Sequence, residues 1–312
     1  MSDNNPRILE SRVEDPAVRG MRLDRYIAER MGLFPRSQIE SRVVALRVNG
    51  KDARRSKKLK PGDLVEVSYR DPPPLDLLPE PMDLRILFEN ADAIVVDKAQ
   101  GLVVHPGCGN AHGTLVNGLL HHCAGLGDRF PGRDARPGIV HRLDKETSGV
   151  LIAAKNPAAH EMLAAQFRDR KVRKRYLAIV SGHRLPDRGK IETRIARDPR
   201  QRKLFCASRS RGRAAVTSYA VLRRWGDYAL VALAPRTGRT HQLRVHMKYL
   251  GSPILGDPLY GKKDPRFPEA TLMLHARRLK ILLPGESEPR VFTAPLPERF
   301  RSLAAALQLL FQ

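Results

Sequence analysis

The sequence predicts an α+β fold with a mainly antiparallel mixed sheet. Short apolar runs bounded by turn residues are typical of strands, and helical segments are interspersed among them instead of alternating regularly. One helix is predicted to begin with Asn156 as its cap and Pro157 in its first turn, and another to extend from Thr240 to just before Gly251. The apolar runs occupy residues 86–88, 94–96, 150–154, 176–180, 216–221 and 228–233.

The N-terminal part predicts a small α/β module. Residues 1–20 are polar and lack periodicity, so we expect a flexible tail. Helical spacing follows over residues 23–27 and again from Pro35 through Val44. Asn49-Gly50 is typical of a tight turn, and apolar residues alternate with polar ones over 64–67. Residues 21–70 therefore predict two short helices followed by strands.

A proline-rich segment follows the module. Five prolines lie within residues 71–83, at positions 72, 73, 74, 79 and 81. Proline lacks a backbone donor and disfavours regular structure, so the segment predicts a semi-rigid linker. Residues 84–312 form the second predicted domain, which contains the candidate chemistry.

The charge predicts a polyanionic partner. Lys and Arg number 56 against 33 Asp and Glu, for a formal net charge of +23. A basic surface that serves solubility alone is the alternative. The sequence has no apolar stretch of transmembrane length and no hydrophobic signal core near its start, so we expect a cytoplasmic protein without membrane association.

Cysteine and motif patterns argue against cofactors. The three cysteines include no CxxC pair, which favours a reducing compartment. Residues 256–263, GDPLYGKK, miss the phosphate-binding P-loop pattern, and Ala164 takes the second ligand position of a zinc-protease pattern that starts at His160. A zinc cluster is the alternative, but its spacing is not that of paired knuckles. It would use Cys108, His112, His121, His122 and Cys123. We therefore expect neither ATP, NAD nor metal.

The segment RPGIVHRLDKETSG, residues 136–149, places a carboxylate on a loop before a strand. Asp144 lies in its centre, and the apolar run 150–154 follows directly. Loops held by a rigid scaffold often carry function. In the alternative interpretation, Asp144 pairs with Arg142 or Lys145, or caps a turn. The residue types alone favour this structural role.

Five motifs stand out in the second predicted domain: GLVVHPG (101–107), HRLDKETSG (141–149), KRYLA (174–178), TGRTHQLRVHM (237–247) and LMLHA (272–276). Together they resemble the RluA-like family of pseudouridine synthases, and within it the RluD type that acts on large-subunit ribosomal RNA. The resemblance extends from about residue 83 to the C-terminus. RLDRYIAER, VNGK and LKPGD, within residues 21–70, resemble an S4-type RNA-binding module.

The resemblance implies residue roles. Asp144 matches the catalytic aspartate, Tyr176 the active-site tyrosine, and Arg244 the arginine that pairs with the catalytic carboxylate. Arg142 matches the arginine that replaces the flipped base in the stack, although an ion pair with Asp144 or Glu146 is its alternative. Further RNA contacts are expected from His141, Leu143, Arg239 and His241, and in the S4-like module from Arg22, Arg36, Arg42, Lys57 and Lys58.

The implied reaction is the isomerisation of uridine to pseudouridine, which involves no net redox change and needs no ATP. The implied partner is structured RNA, with the helix 69 loop of large-subunit ribosomal RNA or a pre-50S particle as first candidate and tRNA as the second. No obligate protein partner is expected. Two other hypotheses stay open: a non-catalytic RNA-binding assembly factor, and a glycosidase that uses Asp144 and Glu146 to release uracil.

Overall fold

The computed structural model describes residues 5–34, 36–70, 77–107, 110–130, 136–182, 185–201 and 204–311. The chain divides into two units, Met1–Pro74 and Leu75–Gln312. Each unit encloses hydrophobic clusters of its own.

The first unit is a four-stranded antiparallel sheet with two short helices. The strands lie in the order β1-β4-β2-β3. Their core includes Leu23, Ile27 and Ile39 from the helices, and Val65 and Val67 from β4. The elements are β1 (Arg7–Arg12), α1 (Leu23–Glu29), α2 (Ile39–Arg42), β2 (Val43–Val48), β3 (Lys51–Asp52) and β4 (Leu64–Tyr69).

The predicted tail over residues 1–20 is wrong for its described part from residue 7 onward. Strand β1 pairs with β4 along its whole length, from Arg7 opposite Tyr69 to Arg12 opposite Leu64. Val13 and Val18 then enter the core, each only 1% exposed. Most β1 side chains are exposed, so the strand is held by main-chain hydrogen bonds, which leave little periodicity in the sequence.

The second predicted helix is also too long. Helix α2 ends at Arg42, and Val43 and Val44 belong to β2. Their β-branched side chains favour extended backbone. The Asn49-Gly50 turn is confirmed, because both residues have positive φ, 54° and 74°, between β2 and β3.

The second unit is built on a mixed ten-stranded sheet, as far as the described residues go, and the α+β expectation is confirmed. The strand order is β10-β9-β11-β12-β8-β13-β7-β6-β5, and β14 pairs with β13. The strands are β5 (Ile86–Glu89), β6 (Ala93–Lys98), β7 (Ser148–Ala154), β8 (Arg173–Ser181), β9 (Arg188–Arg197), β10 (Phe205–Ser208), β11 (Arg213–Trp225), β12 (Tyr228–Pro235), β13 (Leu274–Ile281) and β14 (Arg290–Thr293).

Helices cover this sheet, and none in the described residues has both the length and the apolar character to span a bilayer. Asn156 caps α5 as predicted, since its side chain accepts from the Ala159 N–H at 2.9 Å. Helix α6 begins at Gln242, later than Thr240, because His241 has a left-handed φ of 55°. The helices are α3 (Leu115–His122), α4 (Leu126–Arg129), α5 (Pro157–Arg168), α6 (Gln242–Tyr249) and α7 (Glu298–Leu310).

The linker predicted over residues 71–83 does not extend as a spacer through its described part. Residues 71–76 lie outside the described residues. Beyond them, the Asn117 side-chain amide donates to the Leu78 carbonyl at 2.9 Å, and the Glu80 N–H donates to the Asn117 carbonyl at 3.1 Å. Residues 77–83 therefore pack against α3 as part of the second unit.

The centre of the sheet places three segments side by side. Strand β13 lies between β7 and β8, parallel to β7 and antiparallel to β8. The Asp144 loop enters the sheet at Ser148, the first residue of β7, where Ser148 pairs with His275. This junction fixes the end of the loop against the sheet.

Replacement of Gly149 by alanine should destabilise the junction between β7 and β13 more than the same change at Gly101. The φ of Gly149 is +114°, and a Cβ atom would lie 2.3 Å from the Ala276 carbonyl oxygen. Gly101 has a similar φ of +83° with nothing within 4 Å. Gly149→Ala should lower the free energy of unfolding by about 3 kcal/mol or more, and Gly101→Ala by about 1 kcal/mol, in denaturant titrations. Equal losses would contradict the close approach of β7 and β13.

Candidate active site

A cavity of about 600 Å³ opens in the second unit beside the Asp144 loop. Its walls come from that loop, from α5 and the turn after it, from β8, and from the segment that leads into α6. Asp144, Tyr176 and Arg244 all line it. The three residues that the resemblance marks for catalysis are therefore brought to one place from three distant parts of the chain.

The backbone of the Asp144 loop is held from both sides. The Thr147 N–H donates to the Asp144 carbonyl at 3.0 Å, which closes a turn. The next carbonyl, that of Lys145, accepts from the Gly101 N–H at 2.9 Å and from Lys98 Nζ at 3.1 Å. The Asp144 side chain itself is 21% exposed, so its carboxylate stays accessible at the cavity wall.

Lys98 is a supporting residue that the sequence reasoning missed. It ends β6 and is 1% exposed, and its ammonium also donates to the carbonyls of Ala99 and Leu102 at 2.7 and 2.8 Å. Burial lowers the pKa of Lys98 to about 7, although the negative charges of Glu146 and Asp144 oppose that shift. A lysine at the end of a run of buried apolar residues was the available signal.

Arg244 joins two carboxylates. Its guanidinium donates to Asp257 through Nε at 2.8 Å and NH2 at 2.7 Å, and its NH1 lies 3.6 Å from Asp144 Oδ2. Burial disfavours the charged guanidinium, but the bonds to Asp257 and the charges of Asp257 and Asp144 together raise the pKa of Arg244 above its usual value. Arg244 therefore presents a fixed positive charge to Asp144.

Asp257 is the second supporting residue that the sequence reasoning missed. Its side chain is fully buried, and its Oδ1 also accepts the N–H groups of Leu259 and Tyr260 at 2.9 and 3.0 Å. It lies in the GDPLYG segment, residues 256–261, which resembled only a defective P-loop. The acidic residue after Gly256 was the signal, and its partner Arg244 could not be identified without the fold.

Tyr260 completes this support. Its hydroxyl accepts from the Phe205 N–H at 2.9 Å and lies 2.8 Å from His241 Nδ1. The Arg244 guanidinium carbon lies 5.1 Å from the centre of the Tyr260 ring, a cation–π distance. The segment thus holds Arg244 by charge on one side and by an aromatic face on the other.

Tyr176 contributes a half-buried ring from β8 to the cavity wall. Burial raises the pKa of its phenol well above the usual value, and the Asp144 charge raises it further. The hydroxyl therefore keeps its proton at neutral pH and can donate it. The ring also offers a flat apolar surface on which a base can stack.

His141 and Leu143, expected as RNA contacts, have their main contacts within the protein. His141 Nε2 accepts from the Ile152 N–H at 3.1 Å, and its ring stacks on Phe167 with centroids 4.4 Å apart. Burial lowers the pKa of His141 to about 3, so it is neutral at physiological pH. Leu143 is 4% exposed and packs in the core below the loop. Both line the cavity and both anchor the loop.

Arg142 is exposed at the same cavity. Its NH1 lies 3.3 Å from His105 Nε2. Within the described part of the chain, no ion pair connects it to Asp144 or Glu146, so the ion-pair interpretation of Arg142 is not supported. Glu146 is not among the residues that line the cavity, which leaves the glycosidase hypothesis without its second carboxylate.

Arg239 and His241 lie on the segment that enters α6. The Arg239 N–H donates to Gln242 Oε1 and its Nε donates to the Ala214 carbonyl, both at 3.0 Å. His241 has a left-handed backbone and contacts Tyr260. Both residues line the cavity together with Arg244.

The basic residues expected to bind RNA in the first unit differ in their surroundings. Arg22 and Arg36 both bind the Asp24 carboxylate, at 3.0 and 2.8 Å. The bond from Arg22 is the largest influence that lowers the pKa of Asp24. Part of their positive charge is therefore balanced within the protein.

Arg42 makes contacts within the protein, whereas Lys57 and Lys58 present their charge to solvent. The Arg42 guanidinium lies 5.0 Å from the Phe34 ring centre and donates to Gln38 Oε1 at 3.1 Å. Lys57 and Lys58 are exposed. These two lysines are the better candidates for phosphate contacts.

The residues considered for zinc do not form a single cluster in the described part of the chain. Cys108 lies outside it, and His112 pairs with Glu80 at 3.3 Å. Ligand atoms of Glu89, His122 and Cys123 lie within 4.8 Å of one another. The Glu89 carboxylate, however, already binds His122 at 2.8 Å and Lys155 at 2.5 Å.

Residues 92–249 match the family described as RNA pseudouridylate synthase, and that range includes every residue that lines the Asp144 cavity except Leu274. The chain belongs to this family. The synthase is 43% identical over 286 residues to the ribosomal large subunit pseudouridine synthase D of Borreliella burgdorferi, covering 90% of this chain and 87% of that protein. It is 42% identical over 294 residues to an RNA pseudouridine synthase of Bacillus subtilis, covering 92% and 94%.

Solved structures agree with this family. The human RNA pseudouridylate synthase domain containing 4 matches with a TM-score of 0.57 and 28% identity, covering 72% of the synthase and 93% of that chain. The human domain containing 1 protein matches with a TM-score of 0.54 and 31% identity, covering 73% and 97%. The synthase is therefore an isomerase that acts on uridine in RNA, and the predicted enzyme class is confirmed.

The bond between Asp257 and Arg244 should matter for catalysis more than for RNA affinity. Asp257→Asn keeps the shape but removes the charge that holds the Arg244 guanidinium, so the rate at saturating RNA should fall about tenfold or more while the RNA Kd changes less than about threefold. Asp187→Asn is the control, because the Asp187 side chain is 88% exposed and pairs with Arg224. Single-turnover kinetics measure both values. An unchanged rate in a folded Asp257→Asn variant would contradict this role.

Proposed function

We propose that the synthase converts uridines of large-subunit ribosomal RNA to pseudouridine, with Asp144 as the catalytic nucleophile. The carrying observation is that Asp144, Arg244 and Tyr176 line one cavity, with 3.6 Å between Arg244 NH1 and Asp144 Oδ2. The substrate class rests on relatives at 40 to 43% identity that are named ribosomal large subunit pseudouridine synthase D. A cytoplasmic location follows from that substrate.

The reaction breaks the N1–C1′ bond of uridine and forms a C5–C1′ bond. The proton on C5 leaves and N1 gains one, so the base isomerises without net loss of atoms. An ionised carboxylate at the cavity wall can attack the nucleotide covalently or stabilise positive charge that develops at C1′. Arg244 orients Asp144 for either route, and the bond to Asp257 holds the Arg244 guanidinium in its position.

Tyr176 is proposed to hold the detached uracil and to move a proton. Its protonated phenol can donate to a base that turns within the cavity, and its ring can stack on that base. With the base held against the ring, C5 can bond to C1′ before the uracil leaves the cavity.

Base flipping precedes the chemistry. Extrusion of a stacked uridine costs roughly a few kcal/mol. Arg142 is exposed at the cavity and lacks a described ion pair with Asp144 or Glu146, so its planar guanidinium is available to fill the vacated stack.

The helix 69 loop is the finer substrate that we propose within this RNA, on the family resemblance. A tRNA substrate is the second candidate, since basic residues bind phosphate without identifying the base. Pseudouridine mapping of total RNA from cells with and without the gene distinguishes the two. Loss of modification in tRNA alone would reject the ribosomal substrate.

We also propose that the first unit is an S4-like RNA-binding module. It exposes Lys57 and Lys58, whereas Arg22 and Arg36 share the Asp24 carboxylate. A lysine that neutralises an RNA phosphate releases the counterions condensed there, so RNA affinity rises with the number of such contacts. The cavity with Asp144 lies in the second unit, so the module should contribute binding and not chemistry.

Asp144→Asn should abolish isomerisation while the RNA Kd stays within about tenfold, because phosphate contacts dominate affinity. Asn has nearly the same shape but cannot act as an anionic nucleophile. Mass-neutral conversion of uridine can be followed by pseudouridine-specific chemical mapping, with Glu146→Gln as the control carboxylate outside the cavity lining. Substantial turnover by Asp144→Asn would reject the nucleophile assignment.

Replacing Lys57 and Lys58 together by Gln should raise the Kd for structured RNA and reduce the slope of log affinity against log salt by about one to two. The saturated single-turnover rate should stay unchanged. The matched control replaces Arg25 and Arg47 by Gln, because both are already paired with carboxylates, Arg25 with Glu29 at 2.8 Å and Arg47 with Glu66 at 3.2 Å. If both double variants bind alike, the lysines are not RNA anchors.

A further inference from the structure

The arginines and lysines that line the Asp144 cavity include four from separate segments: Arg170, Lys174, Arg213 and Arg239. Arg170 follows α5 with a left-handed φ of 60°, and its N–H donates to the Phe167 carbonyl at 3.3 Å. Lys174 lies on β8, Arg213 begins β11, and Arg239 precedes α6. The fold thus collects positive charge that no single sequence motif displays.

These cations lack carboxylate partners in the described part of the chain. None of the four takes part in a described ion pair, and the Arg239 side chain bonds a neutral group, the Ala214 carbonyl. Burial lowers the pKa of Arg239, and the positive charges of Arg213 and Arg170 lower it further. Because Arg239 Nε binds the carbonyl of Ala214, the residue after Arg213, these two arginines lie side by side at the cavity, and an anion between them would relieve their repulsion.

Lys174 adds a positive charge on the face of β8 that also carries Tyr176. It lies two positions before Tyr176, so both side chains point to the same face of β8. Burial alone lowers the pKa of Lys174, and no neighbouring charge offsets it among the described residues. A Cβ atom at Gly238 would lie 3.6 Å from Lys174 Nζ, so the lysine lies beside the segment that carries Arg239.

We propose that Arg170, Lys174, Arg213 and Arg239 form a phosphate site that holds the RNA phosphodiester next to the uridine bound at Asp144. The inference rests on the proposed function, because it takes RNA as the occupant of this cavity. Arginine donors match the oxygens of a phosphate in a forked geometry, whereas uracil is neutral and needs no such charge. The site holds the RNA strand beside the flipped uridine, and this sets the distance between that uridine and Asp144.

The test combines protein variants with neutral RNA linkages. The RNA is a uridine-containing oligonucleotide in which one methylphosphonate at a time replaces each phosphodiester near the uridine. For the wild-type synthase, neutralising one linkage beside the uridine should raise the Kd about tenfold. In the double variant Arg170→Gln and Arg213→Gln, the same modification should change the Kd less than twofold. The variant already lacks the arginines that would bind the phosphate charge, so removing that charge costs little further affinity.

The matched control replaces Arg188 and Arg278, two exposed arginines that do not line the cavity, by Gln. It removes the same charge and should keep the tenfold effect of the neutral linkage. Lys174→Met should behave like the cavity pair, and Lys174→Arg should restore the effect. Denaturant unfolding verifies that every variant is folded as stably as the wild type. An equal methylphosphonate effect in the cavity pair and the control pair would overturn the proposal.

The two proposals fail separately. In one outcome, the wild-type enzyme converts uridine in ribosomal RNA, but no methylphosphonate changes the Kd in a way that depends on the cavity arginines. That outcome rejects the phosphate site and leaves the proposed function. A linkage effect that does depend on those arginines, with no conversion of ribosomal RNA, supports the site and rejects the ribosomal substrate.

Discussion

The guanidinium of Arg244 holds the active site together, because it connects three segments: α6, the GDPLYG segment and the Asp144 loop. Its bond to buried Asp257 fixes α6 against the GDPLYG segment, and its NH1 reaches the Asp144 loop. The two bonds to Asp257 hold the buried guanidinium in place, so Asp144, 3.6 Å away, faces a fixed positive charge. The Asp144 carboxylate is thus oriented by a residue that is itself immobilised.

The remaining features of the site can be understood as ways to keep Asp144 accessible on a rigid loop. Lys98 ties the loop backbone through the Lys145 carbonyl, His141 ties it to β7 through Ile152, and Leu143 anchors it in the core. Each of these contacts is made by a loop residue near Asp144, and none uses the Asp144 carboxylate. The arrangement concentrates packing on the neighbours and leaves the reactive group at the wall, as preorganised catalysis requires.

Much of this could be predicted from the sequence, for identifiable reasons. Strands with apolar runs, the Asn156 cap and the Asn49-Gly50 turn each have a local cause, and the structure contains all of them. The three catalytic candidates came from motif resemblance and do meet in one cavity. The ends of α2 and α6 were missed for local reasons, and two larger misses were non-local. Strand β1 exposes most of its side chains and is recognisable only through its partner β4, and Asp257 gains its meaning only when Arg244 is placed beside it.

Strand β13 also sets the order in which the molecule can be completed. It separates β7 from β8 in the sheet, yet it follows both in the chain, and His275 binds Ser148 across 127 sequence positions at 2.9 Å. A chain emerging from the ribosome therefore makes the Asp144 loop early but must wait for residues 274–281 before the gap beside β7 can close. Until then, one edge of β7 and one edge of β8 stay unpaired, and long-range pairings of this kind slow folding. Asp144 should therefore reach its final position only after residues 274–281 have been synthesised and have joined the sheet.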